Sequence, residues 1–306
     1  MSGAAPADGP GHRTARLTPL GADALMLLAA LIWGLGFIAQ ILGSKHLGPL
    51  SFTGLRFGLA ALLLAPLVLQ VRRGAWTRND LVGGLVAGIV MAIAAILQQW
   101  GMGDTTAANG GFITSTYVVI APFLAFVLGH RVRWPVWVGV ALVLPGLWLL
   151  SITDGYHYRG GDPFVLACAF AWAAHILLVG HWAPKVDALR FTFLQFALTG
   201  LIGTVFGLGL ERPTTDAIMN AGGALLFAAI FPTVIAFGLQ TVAQRVAPPA
   251  HSAILLSFEA VFALIAGILL LGESATHRQM LGAALMFAGM LAAQMRVTPR
   301  SPVPSD

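Results

Sequence analysis

Charge is what this chain has least of. Only 9% of its 306 residues are Asp, Glu, Lys or Arg, against about 25% in a soluble domain. The deficit runs the whole length, which excludes an appended soluble domain. Cysteine is nearly absent as well: Cys168 alone cannot form an internal disulfide, and no redox compartment follows from it. No set of His, Cys, Asp and Glu has metal-ligand spacing, so neither a metal site nor a cofactor is expected. Catalytic motifs are missing too. There is no HExxH and no nucleophile elbow of the GxSG type, so the chain is not expected to be an enzyme. A net charge of +5 could suggest nucleic acid, but the Lys and Arg residues fall between apolar runs, as topology signals do. No nucleic-acid partner is expected.

What is there is hydrophobic: 58% of residues, with a mean hydropathy of +0.83. The chain reads as an all-α polytopic membrane protein of ten spans, at about 21–43, 50–71, 80–102, 105–128, 134–152, 162–182, 189–210, 216–244, 249–271 and 277–295. Residues 1–20 are small, polar and rich in Pro and Gly, and read as a disordered tail; 296–306 form a second tail. The first apolar run has no cleavage site with a polar region behind it, and reads as a spanning helix rather than a signal peptide. Pro66, Pro122, Pro145 and Pro232 interrupt helical patterns and predict kinks or breaks. With the N-terminus inside, the cytoplasmic side carries 12 basic residues (Arg13, Arg16, Arg72, Arg73, Arg78, Arg131, Arg133, Lys185, Arg190, Arg245, Arg296, Arg300) and the outer side 4 (Lys45, Arg159, Arg212, Arg278). That bias predicts both termini in the cytoplasm.

The apolar stretch Pro248–Gly272 carries Glu259 near its middle. A charge at the centre of a bilayer costs about 2.5–3.5 kcal/mol on insertion scales, so it is a functional-site hypothesis by default. Ser252, Leu256, Glu259 and Ala263 are spaced for one face of a continuous helix. Glu259 is a proton-coupling candidate, or an anchor for a substrate amine; the bland alternative is a structural residue holding helices together.

The chain also repeats itself. A shift of 139 residues places Asp23 on Asp162, Leu27 on Leu166, Ala30 on Ala169 and Trp33 on Trp172, and lays FTGLRFGL (52–59) on FTFLQFAL (191–198) with five of eight positions identical. A shift of 143 places Ala107 on Ala250, Val118 on Val261, Gly139 on Gly282 and Gly146 on Gly289. Two halves follow, 21–152 and 162–295, each with five spans and therefore of opposite orientation. Inverted repeats with a site between them at the midplane are a secondary-transporter architecture.

WGLGFIAQ in span 1, PLSFTGLRFGLAALLLAPL in span 2, QQWGMGDTTAANGGFITSTYVVIAPFLAFVLGHRVRWPVWVGVALVLPGLWLL across spans 3 to 5 and APPAHSAILLSFEAVFALIAGILLLGE in span 9 resemble the EamA family of drug/metabolite transporters, over residues 21–295. The resemblance implies ten helices in two inverted repeats. It also implies a central cavity lined mainly by spans 1, 3, 4, 6, 8 and 9, and alternating-access transport of small metabolites, often outward. It puts span 2 at the periphery. A bacterial inner-membrane location fits the short loops.

Candidate cavity residues come from the polar and aromatic positions of those spans. Trp33 and Trp172 are midplane repeat partners that could flank a flat substrate, whereas Trp76, Trp100, Trp134, Trp137 and Trp182 suit the interfacial belt. His175 lies one turn beyond Trp172; His46, His130, His181 and His251 lie near span ends and read as solvated. Gln40, Gln98, Gln99, Asn109, Thr114, Tyr117, Thr233, Gln240 and Ser252 could hydrogen-bond a polar metabolite or join helices. Arg56 is expected to snorkel to the interface or pair with a carboxylate, in a structural role. Amino acids, peptide-like metabolites and amphipathic drugs suit such a cavity better than sugar phosphates do. A membrane scaffold or sensor is the competing reading, with an intramembrane enzyme behind it. Small-residue faces on spans 5 (Gly139, Gly146) and 10 (Gly282, Ala283, Gly289) permit a homodimer. The partners expected are a small-molecule substrate and the lipid bilayer.

Overall fold

The computed structural model describes residues 17–70, 75–152, 157–271 and 276–295. Most of the tail 1–20, the tail 296–306, Gly272 and the basic residues Arg13, Arg16, Arg72, Arg73, Arg296 and Arg300 lie outside them. The described residues contain no strand. The first half is α1 (Pro19–Ser44), α2 (Pro49–Gln70), α3 (Arg78–Met102), α4 (Ala107–Ser115), α5 (Tyr117–Val127) and α6 (Trp134–Ser151). The second is α7 (Asp162–Trp182), α8 (Ala188–Leu210), α9 (Thr215–Ala228), a π-helical segment (Ala229–Ile235), α10 (Ala236–Ala243), α11 (Pro249–Leu256), α12 (Glu259–Leu271) and α13 (His277–Gln294).

Eight helices among the described residues are long and apolar enough to cross a membrane, where the hydropathy pattern predicts ten. Pro249–Ile265 is a shorter apolar helix. The 18-residue α13 opens on His277, Arg278 and Gln279, which lower its hydropathy. Helix starts are set by side-chain caps: Thr18, Thr106 and Thr214 accept from backbone amides three residues on, and Thr77 with Asp80 and Thr276 with Gln279 form capping boxes.

Of the four prolines expected to interrupt helices, Pro232 sits in the π-helical segment, while Pro66, Pro122 and Pro145 lie inside α2, α5 and α6. The breaks in the fourth and ninth segments fall instead at Thr116 and at Ser257–Phe258. Each has a local cause. Thr116 Oγ1 donates to the Ile113 carbonyl at 2.6 Å, and Ser257 Oγ donates to the Ile254 carbonyl at 2.8 Å. A hydroxyl bonded three residues back competes with the helix ladder. The ninth segment is therefore interrupted at residues 257–258; Ser252 falls in α11 and Glu259 in α12, and only Glu259 lines the central cavity.

Repeat equivalents pack on each other. α2 lies along α8, and α6 along α13. The seams are made of glycine: a Cβ added at Gly139 would meet the Gly289 carbonyl oxygen at 2.8 Å, and one at Gly146 the Gly282 carbonyl oxygen at 2.7 Å. The small-residue faces read as available for a homodimer are thus consumed inside the chain, which removes the sequence argument for that dimer. The largest buried apolar cluster joins α1, α5, α6, α7, α10, α11 and α13.

Candidate functional site

The two helix breaks meet at the centre of the bundle. Ser115 and Tyr117 flank the first and Glu259 begins the helix after the second. Ser115 Oγ and Tyr117 Oη both donate to Glu259 Oε1, at 3.1 Å each. Gly34 and Gly36, in the WGLGF motif of α1, allow this meeting. A Cβ at Gly34 would lie 2.6 Å from the Glu259 carbonyl oxygen, and one at Gly36 would lie 3.1 Å from the Pro232 ring. Here α1 touches the backbone of α12 and the proline ring of the π-helical segment.

A cavity of about 50 Å³ opens at this junction. It has room for a few waters, far below the roughly 300–1,000 Å³ of small-molecule pockets. Seven of the thirteen expected site residues line it: Trp33, Gln40, Gln98, Thr114, Tyr117, Trp172 and Glu259. The carboxyl of Glu259 is 3% exposed. Trp33 Nε1 donates to the Pro232 carbonyl at 2.8 Å and Trp172 Nε1 to Gln98 Oε1 at 2.7 Å. The two indoles do not form an open clamp. Phe237 lies between them, its ring centroid 4.9 Å from Trp33 and 5.6 Å from Trp172.

The other six are spent on the scaffold. Gln99 Nε2 donates to the Gln40 carbonyl and to Ser44 Oγ, tying α3 to α1. Asn109 Nδ2 donates to the His157 carbonyl at the edge of the bundle. His175, 1% exposed, pairs with Gln195 Oε1 at 2.7 Å, behind Phe237. Gln240 bonds Gln244, whose own amide reaches the Ile176 carbonyl. Ser252 bonds back to the Pro248 carbonyl. Thr233 accepts from Arg56 Nε at 2.7 Å and donates to the Ala228 carbonyl.

Arg56 overturns its expectation. It neither snorkels nor meets a carboxylate: it is 8% exposed, lines the cavity, and is held by Thr233 with its guanidinium 5.0 Å from the Phe57 ring. The signal was present in the sequence, since an ionisable residue inside a span is a site hypothesis by default. The family resemblance, by placing span 2 at the periphery, points the other way. The packing of α2 against the π-helical segment brings Arg56 inward. Phe37, Pro232 and Phe237 complete the wall and carry no polar signal to mark them in sequence.

A second, larger space of about 850 Å³ opens at the end of the bundle that holds the start of α1 and the ends of α7 and α13. Asp23, His130, Arg131, Arg133, His181, Lys185 and His251 line it. His251 is not simply solvated: its Nε2 lies 2.8 Å from Asp23 Oδ1, and Gln294 also reaches Asp23. Cavity and vestibule share no lining residue. Between Asp23 and Trp33 on α1 lie Met26, Ala29 and Ala30, all fully buried; between His251 and Glu259 lie Ile254, Leu255 and Leu256, also fully buried. An apolar layer therefore separates the two spaces.

Comparison with known proteins gives a consistent result. Residues 20–152 and 159–293 each match the model of the EamA-like transporter family. The chain is 32% identical to an uncharacterized transporter of Archaeoglobus fulgidus, over 90% of this chain and 86% of that one. It is 27% identical to a Salmonella typhimurium protein named "Probable amino-acid metabolite efflux pump" (87% and 92% covered), and 26% identical to a Streptantibioticus cattleyicolor protein named "Probable terminal-alkyne amino-acid exporter" (90% and 94% covered). A solved crystal structure superposes with a TM-score of 0.72 at 18% identity, covering 90% of this chain and 97% of that one, a likeness of fold.

Proposed function

This chain belongs to the EamA-like transporter family and is a multi-pass membrane transporter, and we propose that it exports amino acids or amino-acid-like metabolites, amphipathic drugs included, by alternating access. In this reading ten spans form two inverted halves, 21–152 and 162–295, between cytoplasmic tails at 1–20 and 296–306, in a bacterial inner membrane. The vestibule with Arg131, Arg133 and Lys185 is its cytoplasmic mouth. The substrate site is the cavity at the two helix breaks, and Glu259 is the group that carries the coupling proton. Trp33, Gln40, Gln98, Thr114, Tyr117 and Trp172 form its wall.

One observation carries this reading. A buried carboxyl, two broken helices and a cluster of indole and amide groups converge on a cavity that an apolar layer closes off from an 850 Å³ vestibule. Broken helices at the repeat interface are where secondary transporters bind their cargo. A cavity too small for an amino acid and cut off from the vestibule suits a state in which the vestibule side of an alternating cycle is shut. The names of the Salmonella and Streptantibioticus relatives agree with amino-acid cargo.

The test is reconstitution in liposomes, with a labelled amino-acid mixture and an imposed pH gradient. Gradient-driven accumulation is expected from the wild type and none from Glu259→Gln. Accumulation by both proteins with the same pH dependence would remove Glu259 from the cycle while leaving transport in place.

A further inference from the structure

The geometry points to Arg56 as the anchor for a carboxylate on the transported molecule, so that the cavity is built for a zwitterion and rejects the corresponding amide and amine. This rests on the amino-acid export reading and names the chemistry of its site.

A guanidinium carries five N–H donors. Arg56 spends one of them, from Nε, on the neutral hydroxyl of Thr233. Nη1 and Nη2 have no hydrogen-bonded protein partner among the described residues, although the side chain is more than nine-tenths buried. A cation in a membrane interior is costly and ordinarily finds an anion. A candidate lines the same cavity: Glu259, held through Oε1 by Ser115 and Tyr117. No ion pair joins the two among the described residues. A cation and a protonatable carboxyl line one space without forming an ion pair.

That arrangement fits a ligand carrying both charges a few bonds apart. A carboxylate takes two parallel N–H bonds from one guanidinium, and an ammonium group on the neighbouring carbon then faces Glu259. A plain amine leaves Arg56 unpaired, and a dianion meets the Glu259 carboxyl. Neutral donors and acceptors are at hand in the same wall. Thr114, buried, and Gln40 both line the cavity. The third support is backbone. Thr233, which holds Arg56, sits in the π-helical segment Ala229–Ile235, and such segments occur mostly at functional sites.

The experiment measures efflux from proteoliposomes loaded with each of the standard L-amino acids. The species moved best is then compared with its own α-amide and its decarboxylated amine. Wild type should prefer the acid. Arg56→Gln, checked for folding by size exclusion, should lose about 10- to 100-fold of that preference, the worth of a charge-assisted hydrogen bond. Arg56→Lys should recover part of it, as a charge without the bidentate fork. Wild type that moves the amide as fast as the acid overturns the anchor and leaves amino-acid export standing, and this holds even if Arg56→Gln does not fold. A folded Arg56→Gln that keeps the wild-type preference also overturns it. No flux of any amino acid overturns the export reading itself, and the anchor with it.

Discussion

Arg56 on α2 and Gln195 on α8 occupy matching positions in the two halves, and their surroundings differ in kind. Gln195 is closed off: its Oε1 meets His175 at 2.7 Å, its Nε2 donates to the Phe191 carbonyl at 3.2 Å, and neither Gln195 nor His175 lines the cavity. Arg56 has a single bond, to a neutral hydroxyl, and faces the cavity. A buried neutral pair that bonds itself costs little, whereas a buried lone cation must be retained for something. The halves thus share a scaffold and not a chemistry. Pairing of α2 with α8 and α6 with α13, and the helix breaks at Thr116 and Ser257, respect the repeat. The cation, the carboxyl and the π-helical segment do not: the segment equivalent to the π turn in the first half is the uninterrupted helix α3.

The sharpest break of this comparison would come from its cation side, where Arg56→Gln is expected to cost about 10- to 100-fold in acid-over-amide preference. The matching change on the closed side, Gln195→Leu, should leave that preference untouched. It strands a buried imidazole, at about 1–3 kcal/mol of stability, readable as a lower thermal midpoint in detergent. A changed substrate preference in Gln195→Leu would mean that both halves contribute to the site. Next in size is Gly34, whose repeat mate is Ala173, fully buried. Gly34→Ala drives a methyl into the Glu259 backbone and should destabilise by about 1–3 kcal/mol through overpacking, with slower flux. Ala173→Gly should cost only about 1 kcal/mol of helix propensity and leave flux unchanged. The smallest effects belong to the symmetric pair. Thr116→Ala and Ser257→Ala each remove one back-bonded hydroxyl, and each should shift stability by about 1 kcal/mol. Unequal shifts would show that one break matters more than the other.

Glu259 was legible because an acidic residue in an apolar run is conspicuous whatever surrounds it. Trp33 and Trp172 were legible because the repeat aligns them. Arg56 was equally conspicuous, but its role depends on which way α2 faces, and a helix with Leu on most sides does not reveal that. His175 and Gln240 drew attention by the same polarity as Gln98. What separates them is the nearest partner: Gln195 and Gln244 lie within reach of the first two, whereas the Gln98 side chain meets Trp172 at the cavity wall. Of the four prolines, three do not break their helices, for a related reason. In a span, a proline's missing donor is tolerated when neighbouring helices support the backbone, while a hydroxyl bonded to the carbonyl three residues back competes with the helix ladder.

The sequence by itself determined an apolar, repeated, all-helical membrane chain, because hydropathy, basic-residue bias and internal similarity are properties of composition and order. It also picked out Glu259, the buried acid within the ninth segment. Tertiary structure alone decided which polar groups face each other and which are satisfied. That is a matter of distances across helices: Tyr117 and Ser115 to Glu259, Gln195 to His175, Phe237 between two indoles, Gly139 against Gly289. Hydrogen bonds act over about 3 Å, and the groups that meet at that range lie from 20 residues apart in the chain (His175 and Gln195) to 144 apart (Ser115 and Glu259).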